Sequence, residues 1–457
     1  MKRCSSISDG LLDPLFESAD VGRRLSDTSL LRALLDVESA LAQAEADAGV
    51  IPIGAAKAIA EACTSTPFDV AQLGIDAQGS GNPVVPLVRA LGAALPEDAR
   101  PWVHLGATSQ DILDTAFMLL ARRSGVLMLA DGDAAADACA ELVAAHRDTV
   151  MVARTLGQQA GLTTFGLKAA GWLTSLDESV ARLREVLQSR LAVQLGGAAG
   201  TLGVLGDAGV AMSARFAYLL DLAEPVLPWH TNRQRVLELA AALGGVVAAC
   251  GKLALDVELL AQTEIAEVGE GAGTPGGQPH GGSSALPHKH NPVDAVLIRS
   301  AAYRAPGLLS ALFFAASHHE HERAAGAWHA EWESLRELLR VTGGALARTG
   351  SLVSALSVHA DRMRATVDAA GGLLMTENVA SALAPALGRA AAQALVGACA
   401  ARALERGATL RDVMASDADV LGHLSPAELD AAFDPGTVLK SAGVLIDRAL
   451  AAHAGLR

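Results

Sequence analysis

The chain has 457 residues, 51% of them hydrophobic and only 3% aromatic, with a formal net charge of -14 at pH 7. This composition suits an aliphatic core of Ala, Leu and Val, and its acidity argues against nucleic acid or an anionic membrane as a partner, so an anionic ligand needs a local cluster of cations. Five scattered cysteines without a C-x-x-C pair suggest neither a disulfide framework nor a zinc site, and they fit a reducing cytoplasm.

The opening residues MKRCSSISDG lack an apolar signal-peptide core, and no charge-free apolar run of about 18 residues reads as a membrane span. Proline is absent between Pro101 and Pro225, between Pro228 and Pro275, and between Pro306 and Pro385. Strong helix formers fill those intervals, so the expected fold class is all-α with long bundled helices. In chain order, Leu31, Leu34, Leu41, Ala44 and Ala48 mark one helical face, with Gly49 as its stop. Thr108-Ser109-Gln110-Asp111 and Thr231-Asn232-Arg233-Gln234 resemble capping boxes, the first with Asp in place of Glu or Gln. Residues 234–268 fit one helix of about 50 Å. Strand signals are weak, and residues 269–282 are Gly-rich enough to be mobile.

The stretch GGSSALPHKHNP at 281–292 has neither helical nor strand period. Asn291 suits an N-cap, Pro292 the first helical position and Asp294 the first turn, which places a helix N-terminus and its anion-favouring dipole at the loop's end. Glycines allow close backbone approach, hydroxyls can move a proton, and Lys289 adds positive potential. The spacing of a phosphate-binding P-loop is missing, and a surface loop with an ordinary cap is the plain alternative. Further on, HHEHER (318–323) would set His318 and Glu322 on one helix face, but it lacks the H-E-x-x-H pattern, which favours a hydrogen-bonded wall over a metal site.

Gly282, Ser283, Ser284, Pro287, Lys289 and Asn291 resemble the signature loop G-S-S-x-M-P-x-K-x-N of the fumarase/aspartase superfamily, with Leu286 standing for Met. HLGATSQDILDT (104–115) is similar to the first conserved region of that superfamily and RTLGQQAGLTTFGLKAAGW (154–172) to its second, with Leu162 where relatives have a Pro nearby. QLGGAAGT, PWHTNRQR and QTEIAEV follow in the same order. HEHERAAGAWHAEWESL (319–335), PWHT and GNPVVPLV resemble the branch of bacterial 3-carboxy-cis,cis-muconate cycloisomerases. All five tryptophans lie in these segments, which suits pocket lining or core packing alike.

The resemblance implies that Ser283 transfers the proton at the carbon α to a carboxylate, helped by Lys289 and Asn291. It also implies substrate binding by His104, Thr108, Ser109, Arg154, Thr155, Gln158, Ser284 and Arg323. Arg233 and Arg235 are further cations of the matched segments, and for any single arginine a structural ion pair is the plain alternative. Many superfamily members carry a general-acid histidine after the Thr of the second region, but here the sequence runs Thr155-Leu156-Gly157-Gln158-Gln159. A departing hydroxide or amine needs that acid, whereas a carboxylate, with a pKa of about 4, does not. The branch implied is therefore the cycloisomerase, with an adenylosuccinate-type lyase or a catalytically silent structural protein as alternatives. The resemblance further implies three helical parts (1–106, a central bundle 107–350, and 351–457), no cofactor, no metal, a tricarboxylate substrate, and a cytoplasmic homotetramer whose active sites are shared between subunits.

Overall fold

The proline-free intervals become long helices. In the computed structural model, which describes residues 10–271 and 281–456, α1 (Asp27–Asp47) and α2 (Ile53–Ser65) lead into α3 (Ser109–Ala145), α4 (Phe165–Ser189), α5 (Gln234–Leu260), α6 (Val293–Ala316) and α7 (Ala327–Ser354). Shorter C-terminal helices follow, among them α8 (Thr376–Leu387), α9 (Arg389–Arg406) and α10 (Lys440–Leu456). α3 alone has 37 residues, about 55 Å of helix. The all-α expectation holds, and the described strands form only two small two-stranded sheets. Residues 272–280 of the stretch expected to be mobile, and Cys4, lie outside the described residues.

Contacts sort the chain into two compact units, each assembled from three stretches. The first comprises Met1–Asp133, Ser179–Gly251 and Leu297–Arg348, the second Ala134–Glu178, Lys252–Val296 and Thr349–Arg457. In the first unit, α1 begins where the Ser26 hydroxyl accepts from the Ser29 amide at 3.2 Å, and it buries Leu34, Leu41 and Ala44. Gly49 follows at φ 72, a left-handed stop that glycine adopts without penalty.

Two helix boundaries differ from expectation. α5 starts at Gln234 with the Asn232 side chain, not Thr231, accepting from its amide at 3.3 Å. It ends at Leu260 instead of reaching 268, so it spans about 40 Å. The amides of Ile265 and Ala266 both turn back to the Gln262 carbonyl, Ala266 adopts φ 50, and the Glu267 amide returns to Leu260 O. By length and hydropathy α5 could cross a membrane, but 67% of its apolar window is buried in protein, which marks a core helix.

The second unit holds both sheets. β1 (Val150–Thr155) and β2 (Gln158–Thr164) form an antiparallel hairpin, a correction to the weak strand signals. Its two turn residues, Leu156 and Gly157, have φ 51 and 77, the positive angles of a tight hairpin turn. β3 (Val268–Gly269) pairs with β4 (Ser357–Val358). A separate C-terminal core gathers Val379, Leu383, Val396, Leu410 and Met414. Cys63, Cys139, Cys250 and Cys399 are all buried.

Candidate active site

In the first unit the start of α3 is organised by one fully buried carboxylate, Asp111. Its Oδ1 accepts from the Gly196 amide at 3.0 Å and lies 2.7 Å from His230 Nε2; its Oδ2 accepts from the amides of Gly197 at 2.9 Å and Thr108 at 3.0 Å. Asp111 thus completes its half of the expected capping box and also pins the 194–200 loop beside the helix start. The Thr108 hydroxyl is engaged elsewhere: Arg323 Nη1 donates to it at 2.9 Å, while Nη2 donates to the carbonyls of Ala198 (2.8 Å) and Gly197 (3.2 Å). His104, Thr108, Ser109 and Arg323 are therefore brought into one corner, all half-buried.

His104 Nδ1 lies 2.7 Å from Glu38 Oε1. Burial alone would favour the neutral ring, but the Glu38 carboxylate, through charge and hydrogen bond, and Asp111 more than offset it, holding the imidazole pKa above its ordinary value.

Arg233 is not open to a ligand. It is buried and donates to Asp114 (2.7 and 3.0 Å) and Glu331 (2.6 to 3.1 Å), and its guanidinium lies 4.8 Å from the Trp229 ring centroid. Trp328 Nε1 also donates to Asp114, and His319 Nε2 lies 3.0 Å from Glu331. The HHEHER run is consequently not a helix face: α6 ends at Ala316, and the run forms the turn before α7, with His321 at φ 46. Arg235 donates to the Arg190 carbonyl at 2.8 Å. Trp172, Trp229 and Trp328 are buried with their indole N–H groups on Asp256, Val193 O and Asp114, which is packing and not pocket lining.

In the second unit the signature loop closes on itself. The amide and the side-chain Nδ2 of Asn291 both donate to the Gly281 carbonyl, at 2.7 and 3.1 Å, and Gly282 bridges His290. Gly281 has φ 74, and a Cβ there would lie 2.3 Å from Asn291 O, so this position admits only glycine. Within the closed loop, the amides of Leu286 (3.1 Å) and Ala285 (3.3 Å) donate to Ser283 Oγ. Ser284 and Lys289 are exposed, and among the described residues the Lys289 ammonium makes no ion pair.

Asn291 is not the cap of α6. That helix begins at Val293, and the Glu270 carboxylate accepts from the amides of Ala295 (2.8 Å) and Asp294 (3.1 Å), a negative charge seated on the positive end of the helix. Three residues earlier, fully buried Glu267 receives both arms of Arg154 at 2.8 Å. Arg154 is thus in the structural ion pair weighed for it, while Thr155 and Gln158 stand exposed at the hairpin tip. Sequence reasoning marks none of Asp111, Glu38, Glu267 and Glu270 as a site residue, although HLGATSQDILDT carries Asp111 and QTEIAEV carries Glu267.

Chemically, the first corner offers donors for a carboxylate, and the loop offers a serine oxygen solvated by amides and, six residues further along it, an exposed ammonium. Residues 13–307 match the lyase family, and residues 372–449 match the adenylosuccinate lyase C-terminus family. A 3-carboxy-cis,cis-muconate cycloisomerase of Bradyrhizobium diazoefficiens is 45% identical, covering 96% of this chain and 97% of its own. A nitrosuccinate lyase of Streptomyces davaonensis is 43% identical, covering 97% and 95%. The crystal structure of the 3-carboxy-cis,cis-muconate lactonizing enzyme from Pseudomonas putida superposes with a TM-score of 0.89 at 39% identity, covering 98% of this chain and 99% of that one.

Proposed function

The chain belongs to the lyase family within the fumarase/aspartase superfamily, and from that membership we propose that it is a cycloisomerase closing 3-carboxy-cis,cis-muconate to 4-carboxymuconolactone in protocatechuate breakdown. In ring closure one substrate carboxylate oxygen bonds to an alkene carbon β to a second carboxylate. The alkene electron pair moves to the α carbon and into that carboxylate, and the α carbon takes a proton from Ser283. The alkoxide left on Ser283 is stabilised by the Ala285 and Leu286 amides and by the positive charge of Lys289, and it takes a proton back from water before the next turnover.

The observation that carries this reading is the hairpin tip at 155–158, which holds no titrating side chain. Ring opening in reverse expels a carboxylate, with a pKa of about 4, so no acid is needed at that oxygen. An adenylosuccinate-type lyase must protonate a departing amine and lacks the group to do so here. Retention of Ser283, Lys289 and Asn291 in a closed loop speaks against a silent scaffold protein.

Substrate carboxylates are assigned to His104, Thr108, Ser109 and Arg323, and to Thr155, Gln158, Ser284, Lys289 and Asn291, drawn from different subunits of a cytoplasmic homotetramer, while Arg154 is left to its ion pair with Glu267. In support, the long helices expose Leu259, Tyr303, Phe313 and Phe314, a load of apolar surface that subunit packing would cover. We keep the division along the chain at about residues 106 and 350. The mechanism routes no step through a cofactor or metal.

A second reading is favoured by the similarity to nitrosuccinate lyase. Nitrite, like a carboxylate, departs as a weakly basic anion, so a tip without an acid suits it equally. Direct assay with 3-carboxy-cis,cis-muconate, nitrosuccinate and adenylosuccinate separates the readings. Turnover of the first is expected; turnover of either other substrate with none of the first would overturn the assignment.

A further inference from the structure

Glu38 and Glu45 lie seven residues apart on one face of α1, and both are buried, at 1% and 0% exposure. Among the described residues neither oxygen of Glu45 has a hydrogen-bond partner, nor does Oε2 of Glu38. Three bare carboxylate oxygens inside one helix face are costly, so their presence asks for a reason. No lysine or arginine among the described residues bonds to Glu38; Arg32, on the same helix, is taken by Asp36 and the Cys63 carbonyl. Among the described residues the group that answers Glu38 is the His104 ring. His104 itself sits at φ 58, a backbone angle unfavourable for a side-chain-bearing residue, with 17% of its side chain open.

We propose that Glu38 is a positioning residue that keeps His104 as an imidazolium, so that the outer N–H of the ring binds a substrate carboxylate, while Glu45 stays uncharged behind it. The geometry makes the proton decisive. With Nδ1 donating to Glu38, a neutral ring would present a lone pair at Nε2, which repels a carboxylate; only the protonated ring presents a donor there. The charge balance agrees, because Glu38 and His104 neutralise each other, and among the described residues no cation bonds to Glu45. The other charged group facing the ring is Asp111 of α3, which is occupied by His230 and three amides, while Arg323 is bonded to Thr108 and two carbonyls. His104 thereby joins Arg323 as a second cation of this corner for the tricarboxylate of the functional reading, on which the binding half of the proposal rests.

The test is the titration of His104 in the full-length protein labelled at histidine with 13C and 15N, its signal assigned by loss in His104→Gln. The ring should be protonated at pH 7, and Glu38→Gln should lower its pKa by at least about one unit. Glu45→Gln should leave it unchanged at that pH. A wild-type ring that is neutral at pH 7, or one titrating identically in Glu38→Gln, overturns the proposal, as does a Glu45→Gln shift as large as that of Glu38→Gln. Should Glu38→Gln fail to fold, the wild-type titration alone decides. In kinetics, the KM of Glu38→Gln should rise about tenfold relative to wild type as the ring loses its proton toward pH 8, with kcat nearly constant. A kcat loss without that KM trend contradicts a positioning role. The NMR readout needs no substrate, so a charged, Glu38-dependent His104 in a protein inactive on the muconate would sink the functional reading alone.

Discussion

Arg323 Nη1 donates to the Thr108 hydroxyl at 2.9 Å, and so ties the loop before α7 to the first turn of α3. Among the described residues this guanidinium meets hydroxyl and carbonyl oxygens but no carboxylate, so its charge is available to an anion. Arg323→Gln should raise KM at least tenfold, from the loss of a charge-assisted contact of about 1.5–3 kcal/mol. Arg323→Lys should not restore it, because one ammonium cannot reproduce the planar fork that spans Thr108 and Ala198. Steady-state kinetics decide the matter, and an unchanged KM in Arg323→Gln would remove the residue from the binding set.

Arg233 does the opposite work. Its guanidinium compensates Asp114 and Glu331, both at most 3% exposed, and Arg233→Met would strand two buried carboxylates. A destabilisation of about 3–5 kcal/mol is expected, read as a lower urea midpoint. A midpoint equal to that of wild type would mean that the network contributes nothing to holding α3, α5 and α7 together.

Glu45 gives a pH dependence with a definite sign. Burial and the neighbouring Glu38 charge push its pKa up from 4.5 to about 8. Between those values the unfolded chain has released the proton while the folded protein keeps it. Stability therefore falls as pH rises through this window, by up to about 1.4 kcal/mol per unit, and the loss is complete above the folded pKa. Glu45→Gln abolishes the penalty, so its thermal midpoint should exceed that of wild type at pH 8 by more than it does at pH 5.5. A constant difference between the two pH values would contradict the assignment.

The helical class was legible in the chain because proline gaps and helix formers act locally, and the start of α3 because Asp111 stands three residues from Thr108. The closed signature loop was legible from its residue types, although not from its period. What escaped was set by distant partners. Glu38 meets His104 across 66 positions, and Arg154 meets Glu267 across 113, separations that no periodic pattern reports. The cap of α6 was misassigned for the same reason: Asn291 has the right type and place, but Glu270, folded back from β3, supplies a stronger acceptor and frees Asn291 to close the loop. The hairpin is hidden because its two-residue tip, Leu156-Gly157, lacks the Asn or Asp that marks a tight hairpin turn, and β2 is largely exposed, so little hydrophobic alternation survives. The early end of α5 follows from the turn at Gln262, in a segment whose composition is otherwise helical.

The catalytic claim concentrates on one oxygen. If Ser283 is the sole proton-transfer group, Ser283→Ala should lower kcat on 3-carboxy-cis,cis-muconate by about three orders of magnitude or more, while the affinity for the substrate, measured by calorimetry on the inactive variant, stays within about threefold of the wild-type KM. Turnover within tenfold of wild type would show that another group moves the proton, and the account would fail at its centre.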